Sequence, residues 1–109
     1  MSFTVAAATD GREALAREIL EALPEWFGIP EATEAYIKAA DELPMLACES
    51  GGKAIGFLTL KLQTIHAMEI VVMGVRRAWH RRGAGRALMA AAEAEAVRRG
   101  CSYVTVRTL

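Results

Sequence analysis

The sequence has little of what several protein classes require. Its 109 residues include only two cysteines, Cys48 and Cys101, in unrelated segments without a C-x-x-C spacing. Neither a disulfide framework nor a metal site is therefore indicated, and we expect both thiols to be reduced and structural. Thirteen Lys and Arg balance thirteen Asp and Glu. The overall charge thus gives no reason to expect a nucleic-acid partner.

Long apolar runs are also missing. No window approaches the ~20 apolar residues that span a bilayer. The N terminus lacks the basic stretch and apolar run of a secretion signal. These absences predict a cytoplasmic protein without a membrane partner. Hydrophobic residues make up 53% of the chain, which is enough for the core of one domain over residues 1–109.

The first part of the chain predicts a strand and two helices. Residues 3–7 read as a short strand. Asp10, with Glu13 three residues later, predicts the N-cap of a first helix that Pro24 ends. Pro30 suits the first turn of a second helix. The apolar face of this second helix is predicted to comprise Ala32, Tyr36, Ala40 and Leu43.

The remainder predicts four strands around one further helix. A Gly-Gly turn joins residues 45–49 to 54–62 as an antiparallel hairpin. The β-branched run 68–75 suits a central strand covered on both faces. An alanine-rich helix then runs to Gly100, and a strand follows at 102–107. A strand, a helix and a parallel strand form a βαβ unit. The fold is therefore predicted to be mixed α/β (α+β), with helices on both faces of the sheet.

The turn before the alanine-rich helix reads H-R-R-G-A-G-R. A loop between a strand and a helix exposes the first N–H groups of that helix, where the peptide dipoles concentrate positive potential. Gly83 and Gly85 remove two side chains from the surface that an anion would meet. Three arginines add directed donors, namely Arg81, Arg82 and Arg86. The turn therefore predicts a phosphate or pyrophosphate site, although solvated arginines on an ordinary turn remain an alternative.

Two common nucleotide motifs do not fit this turn. Leu88 occupies the position of the third glycine in a dinucleotide fingerprint, and no acidic residue follows about twenty positions later, which disfavours NAD and FAD. No G-K-[ST] sequence follows either, so the P-loop lysine and hydroxyl are absent. Phosphate binding without an NTPase apparatus is the remaining interpretation.

The run from Glu69 to Leu88 resembles the acyl-CoA-binding motif of the GNAT superfamily of N-acetyltransferases. The family pattern is Gln or Arg, two residues, Gly, one residue, then Gly or Ala, after an apolar strand. Here this pattern falls on His80, Gly83 and Gly85. Histidine departs from the pattern but retains a hydrogen-bond donor. The predicted order of elements also follows that of the family.

This resemblance implies transfer of an acetyl group from acetyl-CoA, the co-substrate, to a primary amine. It assigns the cofactor contacts to Met73, Gly74, Val75, His80, Arg81, Arg82, Gly83, Ala84, Gly85 and Arg86. Gly74 would admit the pantetheine arm, or else fill a packing gap or bulge. The acceptor, a small molecule or a protein amine, is not identified by the sequence.

A protonated amine must lose a proton before it attacks a thioester, so the reaction needs a base. Glu69 is the sole charged residue of its strand, and a similar segment supplies the base in some family members. An equally weighted alternative is that Glu69 faces solvent. By strand period Glu69 would share a face with Val71, Met73 and Val75. His66 is a weaker candidate. The resemblance places Trp26, Phe27 and Tyr36 where the family forms its acceptor lid, and the alternative is that these aromatic side chains belong to the core.

The family continues after the parallel strand with a helix and two more strands, whereas this chain ends at Leu109. The resemblance therefore implies a partial domain without the C-terminal helix and strands, and no general acid is assigned. An uncovered sheet edge predicts a homodimer. A CoA-binding or assembly module that lacks a complete catalytic site is the alternative function.

Overall fold

The computed structural model describes residues 2–106. Its strands are β1 (Thr4–Ala8), β2 (Met45–Ser50), β3 (Lys53–Thr64), β4 (Ala67–Val75) and β5 (Tyr103–Val106). Its helices are α1 (Arg12–Glu21), α2 (Pro30–Ala39) and α3 (Ala84–Arg98), with a 3₁₀ turn at Arg77–Trp79. The sheet order is β1-β2-β3-β4-β5. The first four strands are antiparallel, and β5 pairs with β4 in parallel.

The helices cover both faces of this sheet, which confirms the predicted mixed α/β fold. On one face, Leu88 of α3 is buried with Leu58 and Met68 of the sheet. Small alanine side chains let α3 approach the strands closely. On the other face, Ile19 of α1 and Ile37 of α2 pack with neighbouring sheet residues. The α3 face and the α1–α2 face therefore each have their own core.

The predicted strands and helices all occur, but the start of α1 differs from the prediction. Gly11, in the left-handed conformation with φ 61°, occupies the N-cap, and no side chain of the segment caps the helix. The Glu13 N–H donates instead to the Asp41 carboxylate at 3.1 Å. The predicted Asp10 cap is wrong because a residue distant in sequence supplies the acceptor.

The buried face of α2 is rotated by one residue from the prediction. Thr33, Ile37 and Ala40 are buried, whereas Tyr36 is half-buried. The Thr33 hydroxyl donates to the Phe27 carbonyl at 3.0 Å, which satisfies a polar group at this buried position. Pro30 stands in the first turn as predicted. The rotation leaves Tyr36 at the margin of the core.

Gly100 ends α3 as predicted, with φ 81°. The Cys101 N–H donates to the Ala96 carbonyl at 2.8 Å, and the Gly100 N–H donates to Val97 at 3.0 Å. This is a Schellman arrangement. Cys101 and Cys48 are both buried free thiols, and burial raises the pKa of Cys48. The strand predicted for 102–107 is observed as β5, and residue 107 of that prediction lies outside the described residues.

The outer side of β5 has no strand neighbour among residues 2–106. Tyr103 and Val106 on this strand are each more than half exposed. The homodimer stays a prediction.

A β-bulge interrupts β4 at Val71. Thr59 of β3 lies opposite Val72, but Leu60, the next residue, lies opposite Ile70. One residue of β4 is therefore extra, which reverses the side-chain alternation beyond it. This bulge determines the arrangement of the site.

Candidate active site

The two halves of β4 have different neighbours. The described residues of β5 pair only with Ala67–Ile70. Beyond the bulge, Val71–Val75 is flanked within the described part of the chain by β3 alone. Over the described residues the sheet therefore opens between β4 and β5, and one edge of Val71–Val75 presents its backbone groups to the gap.

Hydrogen bonding to β3 fixes which groups face the gap. The Arg76 N–H donates to the Ile55 carbonyl at 2.8 Å. Since alternate residues of an antiparallel pair bond to the same neighbour, Gly74 faces β3 in the same way. The N–H and C=O groups of Met73 and Val75 consequently point toward the gap.

The turn after β4 forms a concave backbone surface. Arg81 has a positive φ of 63° and Gly83 a positive φ of 89°, and the residue between them does not. Such alternation directs successive N–H groups to one side. The first helical bond of α3 runs from the Ala87 N–H to the Gly83 carbonyl at 3.0 Å, and no side chain of residues 2–106 caps this end. The amides that remain outside the helical bonding are those of Ala84, Gly85 and Arg86.

The electrostatics of the turn favour an anion. Arg81, Arg82 and Arg86 are exposed, and the first turn of α3 contains no acidic residue. The Arg82 Nε donates to the Ala78 carbonyl at 3.1 Å, which orients this guanidinium along the turn. Glycine is needed at position 83 because φ there is left-handed. At position 85 a Cβ would approach only the Met73 side chain, at 3.9 Å, so glycine leaves open space at this point of the turn.

His80 points inward rather than toward the expected anion. Its Nε2 lies 2.7 Å from the Val75 carbonyl oxygen. A carbonyl only accepts, so Nε2 carries the hydrogen and donates. The ring also contacts Trp26 edge-on, with centroids 5.4 Å apart. His80 thus joins the turn to the end of β4, while the arginines supply the local positive charge.

Two cavities lie along the open edge of β4. The main cavity, of about 360 Å³, lies between Met73–Val75, the turn at His80 and Arg81, and the loop that joins α1 to α2. The inner cavity, of about 230 Å³, lies at the bulge between β4, β5 and α2. Phe27 and Met73 line both cavities. Together they extend from the start of α3 to the bulge.

The α1–α2 loop is held over the main cavity by Arg77. The guanidinium forms an ion pair with Glu25, donates to the Ala22 carbonyl at 3.2 Å and lies 6.0 Å from the centre of the Trp26 ring. The hydrogen bond from Arg77 lowers the pKa of Glu25 to about 2. Of the aromatic residues expected in an acceptor lid, Trp26 and Phe27 line the main cavity and Tyr36 lines the inner one, and their role as a lid stays a prediction.

Glu69 is half-buried and lies in register between Lys61 of β3 and Thr105 of β5. It stands between Met68 and Ile70, which pack on the α3 face, so it points to the α1–α2 face. Met73 and Val75 pack on the α3 face too. The expectation that Glu69 shares their face is wrong because the bulge reverses the alternation.

Glu69 lines neither cavity described above. His66 is exposed in the turn before β4, at the opposite end of this strand from the main cavity. The structure therefore does not bring His66 to the glycine turn. Glu69 is the neighbour in sequence of Ile70, and Ile70 lies in the wall of the inner cavity.

Gly74 serves α1 rather than the gap. A Cβ at this position would lie 3.0 Å from Ile19 Cγ2 and 3.1 Å from Leu20 Cδ2. The space that glycine leaves is filled by helix side chains, which supports the packing interpretation. Gly74 borders the main cavity through its backbone.

Sequence reasoning missed two residues of the site. Trp79 lines the main cavity and meets Phe3 edge-on at 6.3 Å. Arg77 anchors the loop. Neither residue belongs to the glycine motif, and no spacing rule links Arg77 to Glu25, 52 positions away. Only the three-dimensional contact reveals their roles.

Over residues 2–106, no helix is long and apolar enough to cross a membrane. Within the same residues, no group of three or more His, Cys, Asp or Glu side chains is arranged to hold a metal ion.

Solved structures share this fold. An aminoglycoside acetyltransferase from an uncultured soil metagenomic sample superimposes with a TM-score of 0.72 at 24% identity, over 100% of this chain and 81% of that one. AAC(6')-Iy, in complex with a CoA bisubstrate analog, gives 0.75 at 18% identity, with the same coverage of 100% and 81%. A ribosomal-protein-alanine N-acetyltransferase from Brucella melitensis biovar Abortus 2308 gives 0.68 at 16% identity, over 99% and 81%.

Sequence comparison is consistent with this likeness. No curated protein matches the chain significantly. Residues 12–109 match the profile of the Acetyltransferase (GNAT) family, which is most of the sequence, and the glycine turn lies inside the matched segment. This chain therefore belongs to the GNAT family of acetyltransferases.

Proposed function

We propose that this protein transfers an acetyl group from acetyl-CoA to a primary amine by direct attack of the amine on the thioester. The observation that carries the proposal is the open edge of β4, which leads from the exposed amides of α3 to the two cavities. Solved relatives of the same fold hold CoA or a CoA analog, which supports a CoA co-substrate.

In this proposal the turn binds the pyrophosphate of CoA. The amides of Ala84, Gly85 and Arg86 donate to its oxygens, and the helix dipole adds to their attraction. The side chains of Arg81 and Arg82 neutralise the remaining charge. The amide groups of pantetheine then pair with the N–H and C=O groups of Met73 and with the Val75 N–H, since the Val75 carbonyl already accepts from His80. This geometry carries the thioester toward the bulge.

The reaction then proceeds at the bulge. Glu69 accepts a proton from the ammonium group of the acceptor through a water molecule, and the free amine attacks the thioester carbon. The Met73 N–H donates to the oxyanion of the tetrahedral intermediate, a contribution typically of about 3 kcal/mol. The C–S bond breaks, and the CoA thiolate takes up the proton that the amine nitrogen loses on forming the amide.

Calorimetric titration with acetyl-CoA and CoA, followed by a thiol-release assay over a panel of primary amines, tests this function. Glu69→Gln should lower kcat/KM by about 100-fold, the usual range for loss of a general base. Acetyl-CoA affinity should be unchanged. Glu93→Gln, at an exposed position of α3, is the matched control and should leave both quantities unaltered.

The two measurements separate the possible outcomes. Binding of acetyl-CoA without turnover of any amine would favour the CoA-binding or assembly module over the enzyme. Absence of any affinity for acetyl-CoA and CoA would overturn both functions.

A further inference from the structure

We infer that the acceptor is a small primary amine with an apolar or aromatic body and no second positive charge. This inference rests on the proposed function, because it concerns the acceptor of that same reaction. It follows from the walls of the main and inner cavities and from the pairing of the charges around them.

The cavity walls are apolar where an acceptor would lie. Aromatic and thioether side chains surround the bulge, including Phe27, Tyr36, Met73 and Met89. Among residues 2–106, no Asp or Glu lines either cavity. A second ammonium group on the acceptor would lose its hydration there without gaining a carboxylate partner, which is costly. An aromatic ring would instead gain packing contacts.

Three carboxylates of the helical cover already pair with arginines. Glu18 pairs with Arg76 at 3.0 Å, and Glu34 pairs with Arg17 at 2.7 Å. Glu25 pairs with Arg77 at the margin of the main cavity. A cationic acceptor would have to displace an arginine to use any of these three groups. These three carboxylates therefore already have cationic partners when a ligand arrives.

The positive charge of the main cavity lies at the end of the site where the phosphates of CoA are proposed to bind. Arg81 is the one Arg or Lys in the wall of the main cavity over the described residues. Bound CoA would place its phosphates against this guanidinium rather than next to Phe27 and Met73. The acceptor end of the site thus gains no counter-charge from the co-substrate, and single-charged amines are favoured.

Two of the structural neighbours are named for an acceptor class that differs from the one inferred for this chain. Two of those superimposed above are aminoglycoside acetyltransferases, and aminoglycosides carry several ammonium groups. At identities of 24% and 18% the likeness concerns the fold alone. The apolar walls of this chain therefore predict an acceptor class distinct from theirs.

Titration of the CoA-loaded protein with phenethylamine and with spermidine tests the inference without requiring turnover. Phenethylamine should bind at least about tenfold more tightly. Val106→Glu adds a carboxylate at the wall of the inner cavity and should improve spermidine affinity by about fivefold. Val97→Glu is the matched control, since Val97 is 74% and Val106 54% exposed and Val97 lines neither cavity. It should leave spermidine affinity unchanged.

Each result has one meaning. Equal or tighter binding of spermidine, or binding of neither amine to protein that has bound CoA, would overturn the inference and leave the proposed function standing. Equal responses of the two glutamate variants would also overturn it, because a general charge effect would then explain the gain. Failure of the protein to bind CoA at all would instead remove the proposed function itself.

Discussion

The two walls of the main cavity are built in different ways. The turn after β4 takes its shape from its own backbone, through the left-handed conformations of Arg81 and Gly83 and the uncapped start of α3. The α1–α2 loop takes its position from contacts with residues far along the chain, above all Glu25 with Arg77 and Trp26 with His80. The first wall is suited to a ligand group that is always the same. The second wall is suited to a ligand group that differs from one protein to another.

Under the proposed function, this difference separates CoA binding by the turn from acceptor binding by the α1–α2 loop. A wall made of backbone amides depends on few side chains, so most substitutions in the turn should leave the shape of that wall unchanged. A wall made of side-chain contacts changes with each of them. Variants that add bulk or negative charge at the turn should therefore lower CoA affinity, and variants at the α1–α2 loop should alter binding of the amine.

The largest effect is expected from Gly85→Glu. A carboxylate at the start of α3 would occupy the space for the pyrophosphate and repel it, so CoA affinity should fall by about 100-fold, or roughly 2.7 kcal/mol. Calorimetric titration measures this change. Gly85→Ala, whose methyl group would meet only Met73 at 3.9 Å, should bind within about threefold of the original protein. Equal losses in both variants would mean that volume, not charge, decides binding.

A smaller effect, on stability, is expected from Gly74→Ala. The added methyl group would press against Ile19 and Leu20 at 3.0 and 3.1 Å, and overpacking of this kind costs about 1–3 kcal/mol. Urea denaturation measures the free energy of unfolding. The CoA affinity of the folded variant should stay the same, because the methyl group points to α1. A loss of CoA affinity with unchanged stability would show that Gly74 serves the open edge after all.

The smallest effect is expected from Glu25→Gln, which removes the ion pair that holds the loop. The amine KM should rise a few-fold while CoA affinity stays constant. Since the pKa of Glu25 is lowered from 4.5 to about 2, the contact is fully present above pH 4.5 and is lost as the pH falls toward 2. Both partners are exposed, so salt should weaken the contact.

Fluorescence of Trp26 in a Trp79→Phe background follows the loop through this titration. The signal should change between pH 4.5 and 2 in the protein with Glu25 and should not change there in the Gln variant. The same transition in both proteins would show that the loop is held by other contacts.

Local patterns in the sequence were enough for the strands and helices, for Gly100 as the end of α3 and for the glycine turn. Each depends on residues close together in the chain, through periodicity, turn chemistry or the need for a positive φ. Family membership follows from the same local motif, and the match over residues 12–109 confirms it.

Tertiary structure alone decided that Asp41 caps α1 and that Arg77 anchors the α1–α2 loop. It also decided which faces Glu69 and Met73 occupy and that Gly74 makes room for α1. Strand period predicts one face for a continuous strand, but a single extra residue at Val71 reverses it, and no pattern in the apolar run marks that residue. Hydrogen bonds and ion pairs between distant segments form only once the chain is folded, so their partners cannot be derived from spacing.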